Sequence, residues 1–429
     1  MTNYFSRMPW RPIAAALVVG IGLWGGGIAA RQEPAHQMGS HKQTPQPGTE
    51  PGRPRGAQTC DQPTLACAVS ATPTFAPDGG VWVIWAGNGR VSVAKSKDRG
   101  QTFGPTVLVT PKAARLDDGP DERPQIVVDH KGDVVVSYAI FKDDHFNGQI
   151  LFSSSKDNGS TFSSPRSITD DGSSQRFVSL SLDPSGDIVA SWIDKRNVVA
   201  AQKAGNPFPG ASLAFAWSDD GGTTFKDTHI AHDNMCECCR LGLALAGPHR
   251  PAVLFRNIFD GERDHAVMTF IDPSTPGPIN RVSADHWKID VCPHHGPSLA
   301  IADDGSYHAA WFSGGGLRQG VFYAHSTDGG RTFSEPMALG SAARHPTRPY
   351  VMTIGQEVWL AWKEFDGERT TLNVEHSRDH GATWSAARTM AQTMDYSDHP
   401  LLVSDGQHAY VSWLTHNEGY RLLPLEAGS

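Results

Sequence analysis

Short apolar runs that end in an aromatic side chain recur along this chain at a nearly constant interval. The seven aromatic residues are Trp85, Tyr138, Trp192, Phe255, Trp311, Trp362 and Trp413, spaced 53, 54, 63, 56, 51 and 51 residues apart. Most of these runs follow a turn-forming group, such as PDGG at 77–80 or PSGD at 184–187, which indicates β-hairpins. Seven such hairpins predict an all-β fold, a β-propeller of seven blades with about four strands each, with six blades as the alternative.

A second repeat lies between the predicted hairpins. Five copies of Ser-x-Asp-x-Gly-x-Thr-aromatic begin at Ser96, Ser155, Ser218, Ser326 and Ser377. In each copy the Asp carboxylate can accept backbone N–H groups and the Gly can adopt a positive φ, which is the chemistry of a turn. We therefore expect structural roles for the five acids, Asp98, Asp157, Asp220, Asp328 and Asp379. The gap of 108 residues between the third and fourth copies indicates a decayed copy near residue 272.

The five boxes resemble the Asp boxes of the sialidase-like, or BNR-repeat, superfamily of β-propellers, and the resemblance covers roughly residues 65–425. Sialidases proper have six blades, so a count of seven departs from them. The Cys-x-Cys-Cys sequence at 236–239 is similar to one in uncharacterised bacterial proteins of this superfamily, which suggests a separate subfamily.

Three regions are expected along the chain. Residues 1–30 place Arg7 and Arg11 before an apolar run that ends in small residues, which indicates a signal peptide or an uncleaved anchor. Residues 31–58, rich in Pro, Gln and Gly, predict a disordered tether, and residues 59–429 a single propeller domain. The body is therefore expected to be periplasmic or secreted, with membrane contact only through an uncleaved N-terminus.

The last predicted blade stops after Leu425, one strand short of four. We expect the segment 65–71, which precedes the first repeat, to supply that strand and close the ring, because closure removes exposed sheet edges.

Composition narrows the classes of function. The formal net charge is -8 and the chain has no run of Lys and Arg, which argues against nucleic acid or an anionic membrane surface as partner. A hydrophobic content of 39% with 12 Trp and 18 Phe excludes wholesale disorder. We expect a monomer.

Aligning the blades on their hairpin turns brings basic residues into register where six of the seven innermost strands begin. These residues are Arg123, Arg176, Arg240, His295, Arg348 and His399. If they converge on the propeller axis they form a positive well for a carboxylate, sulfate or phosphate. The alternative is that they bind neighbouring carbonyls or the nearby acids Asp121, Glu122 and Asp398, which would neutralise the well.

The resemblance to sialidases implies further roles. Sialidases bind the substrate carboxylate with three Arg, which implies Arg123, Arg240 and Arg348 here. They use a Tyr/Glu nucleophile and an Asp acid/base. The corresponding candidates are Tyr396 as nucleophile, Glu364 or Glu375 as its base, and Asp117, Asp118 or Asp121 as the acid. Tyr396 as a packing residue is the alternative.

Six Cys fall into two groups. Cys60 and Cys67 are close enough in sequence to form a disulfide in an oxidising compartment. The second group lies where the innermost strands of adjacent blades begin, and comprises Met235, Cys236, Cys238, Cys239, Cys292, His294 and His295. It predicts either two disulfides or a soft-metal site for copper or zinc, and His232 is a further candidate ligand.

These observations favour an exported sialidase-like propeller that binds an anionic ligand, such as an acidic sugar, in a basic axial pocket, with exo-glycosidase activity as an extension. A metal-binding or redox protein that uses the Cys/His/Met group is one alternative. A non-catalytic scaffold for protein interaction is the other.

Overall fold

The computed structural model describes residues 63–208, 210–291 and 293–426. The predicted boundaries at residues 30 and 58 lie outside these ranges, so the signal peptide, the tether and the exported location remain predictions. Within the described ranges, no helix has the length and apolar character needed to cross a bilayer.

The described chain is built almost entirely from short antiparallel strands arranged in consecutive units. Neighbouring strands in a unit follow the order of the sequence, except that β5 and β6 of the second unit, whose ranges follow, both pair with β7. The first unit contains β1 (Ser70–Phe75), β2 (Val81–Gly87), β3 (Arg90–Ser96) and β4 (Val107–Leu108). The second contains β5 (Leu116–Asp117), β6 (Gln125–Val128), β7 (Val134–Phe141), β8 (Gly148–Ser155) and β9 (Arg166–Ser167). The third contains β10 (Gln175–Leu182), β11 (Ile188–Asp194), β12 (Ala211–Ser218) and β13 (Lys226–Met235). The fourth contains β14 (Gly242–Leu245), β15 (Pro251–Phe259), β16 (Glu262–Thr269) and β17 (Ile279–Arg281).

The remaining units follow the same plan. The fifth contains β18 (Ser298–Ile301), β19 (Tyr307–Gly314), β20 (Gln319–Ser326) and β21 (Met337–Leu339). The sixth contains β22 (Thr347–Ile354), β23 (Glu357–Phe365), β24 (Thr370–Ser377) and β25 (Arg388–Thr393). The seventh contains β26 (Leu401–Ser404), β27 (Ala409–Thr415) and β28 (Gly419–Leu425). Helix α1 (Arg196–Lys203) follows β11, and 3₁₀ turns cover Leu65–Cys67 and Ala342–Arg344.

The first main strand of each unit lies innermost. Strands β1, β6, β10, β14, β18, β22 and β26 contact one another in that order, and β26 contacts β1. The units are therefore the blades of a closed β-propeller around a central axis. The third and fourth blades are also joined through one strand pair, Met235 with Asn257.

Apolar side chains fill the spaces between neighbouring blades. The recurring aromatics Trp192, Phe255 and Trp311 are at most 1% exposed and lie in three different inter-blade clusters. Alternate residues of each strand point to opposite faces, so one strand contributes to the clusters on both sides of its blade. Stability is therefore shared around the ring.

The five Asp boxes form the expected turns between the third and fourth strands of their blades. In each box the Thr N–H donates to the Asp carboxylate over 2.8–3.0 Å, and the Gly N–H donates to the Ser hydroxyl over a similar distance. The Thr and Ser hydroxyls also donate to the Asp carboxylate. The Thr hydroxyl, then the Thr N–H and the Ser hydroxyl, lower the pKa of Asp98, Asp157 and Asp379 to about 2. The fourth blade has a simpler turn, in which Asp272 accepts the N–H groups of Ser274 and Thr275.

The expected closing strand is absent from the described residues, so that prediction was wrong. Leu65–Cys67 forms a 3₁₀ turn against β28, and Ser70 already belongs to β1. β1 pairs with β2 along its whole length, so the same segment is not available to extend the seventh blade. Packing closes the ring instead, with Trp85 of the first blade and Leu414 of the seventh in one cluster.

Because each box glycine packs against the preceding blade, we predict that Gly159→Ala is strongly destabilising. Gly159 has φ +74, and an added Cβ would overlap the buried Trp82 ring. We expect the free energy of unfolding in urea to fall by about 2–4 kcal/mol, from overpacking and from the positive φ. Gly79→Ala is the control, since its φ is +79 but its added Cβ meets open space. Equal losses in the two variants would show that packing by the box contributes nothing.

Candidate functional site

A small cavity lies on the axis, between the innermost strands. It measures about 120 Å³, and its charged and phenolic lining consists of Asp121, Arg123, Arg240 and Tyr350. Polar groups that precede β6 and β14, and one within β22, thus meet although they are far apart in the sequence. The closed ring brings them together.

Arg123 connects three blades. Its guanidinium donates to the Asp398 carboxylate over 2.7 Å and to the Ala71 carbonyl over 3.0 Å, and Asp398 accepts the Ala71 N–H over 3.0 Å. Arg123 is 5% exposed and Asp398 1%. Burial raises the pKa of Asp398, and the attraction of Arg123 opposes that shift. This ion pair ties the seventh blade to the first and second.

Arg176 has a carboxylate of its own. Its guanidinium makes two hydrogen bonds to Asp117, over 2.5 and 3.0 Å, and stacks on the Phe177 ring. The backbone bulges at this point, and Phe177 has a φ of 60°. Its N–H donates to the buried Glu122, whose pKa is raised well above its ordinary value by burial and by Asp117.

Arg240 and Arg348 share a single carboxylate, that of Asp121. The Asp121 oxygens lie 3.6 Å from the Arg240 guanidinium, 3.1 Å from that of Arg348 and 3.8 Å from His399 Nδ1. Arg240 also donates to the Pro349 carbonyl over 2.9 Å. Burial, reinforced by repulsion from Arg123 and Arg348 and opposed by Asp121, lowers the pKa of Arg240 to about 10. This part of the axis has an excess of positive charge.

The two histidines of the ring are held neutral by this environment. Burial, and then the charges of nearby arginines, lowers the pKa of His295 and of His399 well below 6.5. His295 stacks on Phe312 with the ring centres 4.0 Å apart and lies 3.2 Å from the Thr347 hydroxyl. The sequence placed both residues at strand starts, but it did not indicate that neighbouring charges would oppose their protonation.

The predicted catalytic residues are not gathered in the cavity. Asp121 lines it, whereas Tyr396 and Glu364 do not. Glu364 accepts hydrogen bonds from Trp362 Nε1 over 3.2 Å and from the Ser341 N–H over 2.9 Å, which is a structural arrangement. Of the alternative acids, Asp117 is the partner of Arg176, and Glu375 lies beside a different groove, near Trp384. The assignment of Tyr396, Glu364 and Asp121 as a set remains a prediction without geometric support.

Sequence reasoning missed Tyr350. Tyr350 is the sole tyrosine in the described innermost strands, and its place in the repeat could have marked it as a candidate from the sequence. A bulge between Thr347 and Tyr350, with a φ of 58° at Arg348, breaks the strand alternation, so side-chain direction was not predictable. Burial raises the pKa of Tyr350, and the nearby Arg240 and Arg123 partly oppose the shift.

The cysteine group lies in the apolar cluster between the third and fourth blades. Cys236 and Cys239 are free thiols. Together with Cys238 they are each at most 2% exposed, and the three sulfur atoms lie within 4.8 Å of one another. Hydrogen bonds from the other two thiols lower the pKa of Cys236 well below its ordinary value. Because Cys236 and Cys239 are free, the four Cys of this group do not form two disulfides.

The other members of the predicted group are placed less closely. Met235 is buried in the same cluster, and Cys292 lies outside the described residues. Among the described residues, the group of ligand atoms within 4.8 Å of one another at this place consists of the three Cys sulfurs. The ring nitrogens of His294 and His295 are not part of that group. Cys67 is disulfide-bonded, and Cys60 lies outside the described ranges.

Comparisons with known proteins bear on the fold. No protein-family model matches the chain, and no curated protein matches it. A polysaccharide lyase of the ulvan-lyase family PL25 matches over 83% of this chain and 95% of its own, with 10% identity and a TM-score of 0.54. The polysaccharide lyase Uly1 matches over 89% and 92%, with 9% identity and a TM-score of 0.52.

These comparisons support the fold alone, an all-β propeller. The Hadza microbial sialidase Hz136 also matches, with 16% identity and a TM-score of 0.45, over 69% of this chain. The chain spans 63% of that sialidase's length. Identities this low establish a shared architecture and leave the chemistry to the site.

We predict that Arg123 contributes more than Arg348 to the free energy of unfolding. Arg123→Met should lower the free energy of unfolding by about 3–5 kcal/mol, because it leaves a buried carboxylate without its partner. Arg348→Met should cost about 1–2 kcal/mol, since its side chain is 20% exposed and Asp121 keeps Arg240. Urea unfolding of both variants measures the difference. A larger loss for Arg348→Met would refute this ranking.

Proposed function

We propose that this protein is a carbohydrate-binding propeller that recognises an anionic sugar at the mouth of its axial cavity. The observation that carries the proposal is the pair Arg240 and Arg348, which share one carboxylate. Arg240 and Asp121 line the cavity, and Arg348 reaches Asp121 from outside that lining. Among the described residues, Asp121 is the one acid that forms an ion pair with either guanidinium. Arg123 and Arg176 have carboxylates of their own, Asp398 and Asp117, and serve the fold. One positive charge is left over at the axis for a ligand.

The sequence left two alternatives open: a basic axial well free to bind an anion, and a well whose charges are neutralised by nearby acids. The observed geometry is intermediate between these two. Two arginines are used up in buried ion pairs, and the remaining two share one acid. A guanidinium binds a carboxylate or sulfate strongly because it can donate two parallel hydrogen bonds. A ligand anion would relieve the mutual repulsion that contributes to the lowered pKa of Arg240.

Cavity size limits what can enter. At about 120 Å³ it is smaller than the roughly 300 Å³ at which pockets for whole small-molecule ligands begin. An anionic substituent fits this volume, while the sugar ring that bears it must stay at the rim. We therefore expect the ligand to be an acidic glycan with an exposed carboxylate or sulfate that can enter the cavity.

The related folds suggest which glycans to test first. An ulvan lyase with the same architecture, at 10% identity and a TM-score of 0.53, has been solved bound to a GlcA(1-4)Rha3S ligand, a glucuronate linked to rhamnose-3-sulfate. A uronate-containing, sulfated oligosaccharide is therefore the first probe, and a sialic-acid glycan is the second. An extracytoplasmic location, where such glycans occur, is part of the proposal.

We expect Arg348→Gln to weaken binding of the uronate–rhamnose-sulfate oligosaccharide by about 10–100-fold, because it removes a charge-assisted contact. Isothermal titration calorimetry measures the affinity. The control is Arg331→Gln, which alters an exposed arginine that bonds within the Asp box of the fifth blade. Undiminished affinity in Arg348→Gln, or no binding of either acidic glycan to the unaltered protein, would overturn the proposal.

Binding should be nearly independent of pH between 8 and 6. His295 and His399 keep a pKa well below 6.5, so neither gains a proton in this range and neither adds positive charge. We expect the dissociation constant to change by no more than about twofold. A tenfold gain in affinity as the pH falls to 6 would instead show that an imidazole binds the anion in its charged form.

Tyr350 extends the proposal to glycan cleavage, since its phenol lies in the same cavity as Asp121 and two guanidiniums. We expect Tyr350→Phe to lower product release from acidic glycans by at least about 100-fold. Tyr396→Phe should retain turnover, because Tyr396 does not line the cavity. An activated aryl sialoside and the uronate polymer are the substrates. If turnover is lost in Tyr396→Phe and retained in Tyr350→Phe, the nucleophile is Tyr396, as the sialidase resemblance implied.

A further inference from the structure

We propose that Cys236, Cys238 and Cys239 form a three-thiolate site for a soft metal ion, with Cu(I) as its preferred occupant. The site is separate from the axial cavity, whose lining contains none of these three residues. It lies in the core between the third and fourth blades, where one strand pair also joins the two sheets.

The distances among the sulfur atoms suit a shared ion. The Sγ atoms of Cys236 and Cys238 are 3.5 Å apart, and all three lie within 4.8 Å of one another. A metal at the roughly 2.3 Å typical of metal–thiolate bonds separates its sulfur ligands by about 3.8 Å in tetrahedral and about 4.0 Å in trigonal geometry. The Cys236–Cys238 separation is slightly shorter than both values, and the other separations stay within a limit that allows them. The 3.5 Å separation is well beyond the roughly 2.05 Å of a disulfide bond.

The surroundings are arranged for negative charge on sulfur. Arg263 donates to Cys236 Sγ over 3.5 Å, and Arg256 also acts electrostatically on Cys236. Arg176, on the other side, interacts electrostatically with Cys238. A buried anionic centre needs such compensation, because an isolated charge in an apolar core is strongly disfavoured. A metal with three thiolates carries net negative charge, and the guanidiniums offset it.

The donor set favours Cu(I). Among the described residues the ligand atoms that meet are three sulfurs, without a carboxylate or imidazole in the group. Soft thiolate ligands suit both Cu(I) and Zn²⁺. Cu(I) is satisfied by the three sulfurs that the described residues bring together, whereas structural Zn²⁺ almost always takes four ligands. Less than 3% exposure of each cysteine keeps water from the ion and would protect Cu(I) from oxidation.

The test is an anaerobic titration of the full chain with Cu(I) in competition with a chromophoric Cu(I) chelator. We expect one Cu(I) per chain and an ultraviolet thiolate-to-copper charge-transfer band. Cys236→Ser, Cys238→Ser and Cys239→Ser should each weaken binding by at least about 100-fold, more than loss of a supporting contact does. Cys67→Ser is the matched control, because Cys67 is disulfide-bonded and outside the cluster.

A second measurement avoids dependence on the folding of the Ser variants. Unaltered protein is alkylated with and without Cu(I), and mass spectrometry identifies the thiols that the ion protects. Protection of Cys236, Cys238 and Cys239 supports the site. Disulfides among these residues in freshly purified protein, alkylation unaffected by Cu(I), or a preference for Zn²⁺ in a parallel titration would overturn the proposal. Because the glycan assays use a different cavity, failure of either proposal is recognisable separately.

Discussion

Closure of the ring without a shared strand is the constraint on which the rest of the structure depends. The Arg123 guanidinium bridges Asp398 of the seventh blade and the Ala71 carbonyl of the first, and Asp398 accepts the Ala71 N–H in return. A buried ion pair is costly unless its remaining hydrogen-bonding capacity is satisfied, and here it largely is. Apolar contacts alone would allow the blades to shift relative to each other, because they have no preferred direction. These directional hydrogen bonds fix the position of the first blade against the seventh. Every residue that reaches the axis depends on that closure.

The arginines near the axis fall into two groups, those that stabilise the fold and those proposed to bind a ligand. Arg123 and Arg176 are each matched by a carboxylate and hold loops or blades in place. Arg240 and Arg348 share Asp121. Burial, and then the charges of Arg348 and Arg240, lower the pKa of His399 well below 6.5, so that this imidazole stays neutral. The same residue type thus has two roles, set by the number of acids within reach. A net acidic protein can therefore carry a locally positive axis.

The contact between the third and fourth blades differs from the others. Among the described blades, this is the one contact at which a strand pair links two neighbouring sheets, and three thiols lie in the apolar cluster beside it. The fourth blade also lacks a full Asp box and has the shorter turn at Asp272. Reduced cysteines packed among Phe177 and Phe255 are compatible with the core as small apolar groups. Their mutual approach beside Arg263 goes beyond what packing requires.

The sequence by itself determined the local structure and the repeat. Box residues such as Asp98 bond to neighbours within four positions, so their turns could be predicted, and burial of Trp192 or Trp311 followed from strand periodicity. Tertiary structure alone decided the partners. Asp398 lies 275 residues from Arg123, and Asp121 lies 227 residues from Arg348, and no local pattern encodes which acid neutralises which base. A strand bulge turned Tyr350 into the cavity, and pairing with β2 kept the N-terminal segment out of the last blade. Turns depend on short-range hydrogen bonds that a motif displays, whereas charge pairing depends on distances that exist only after the ring has closed.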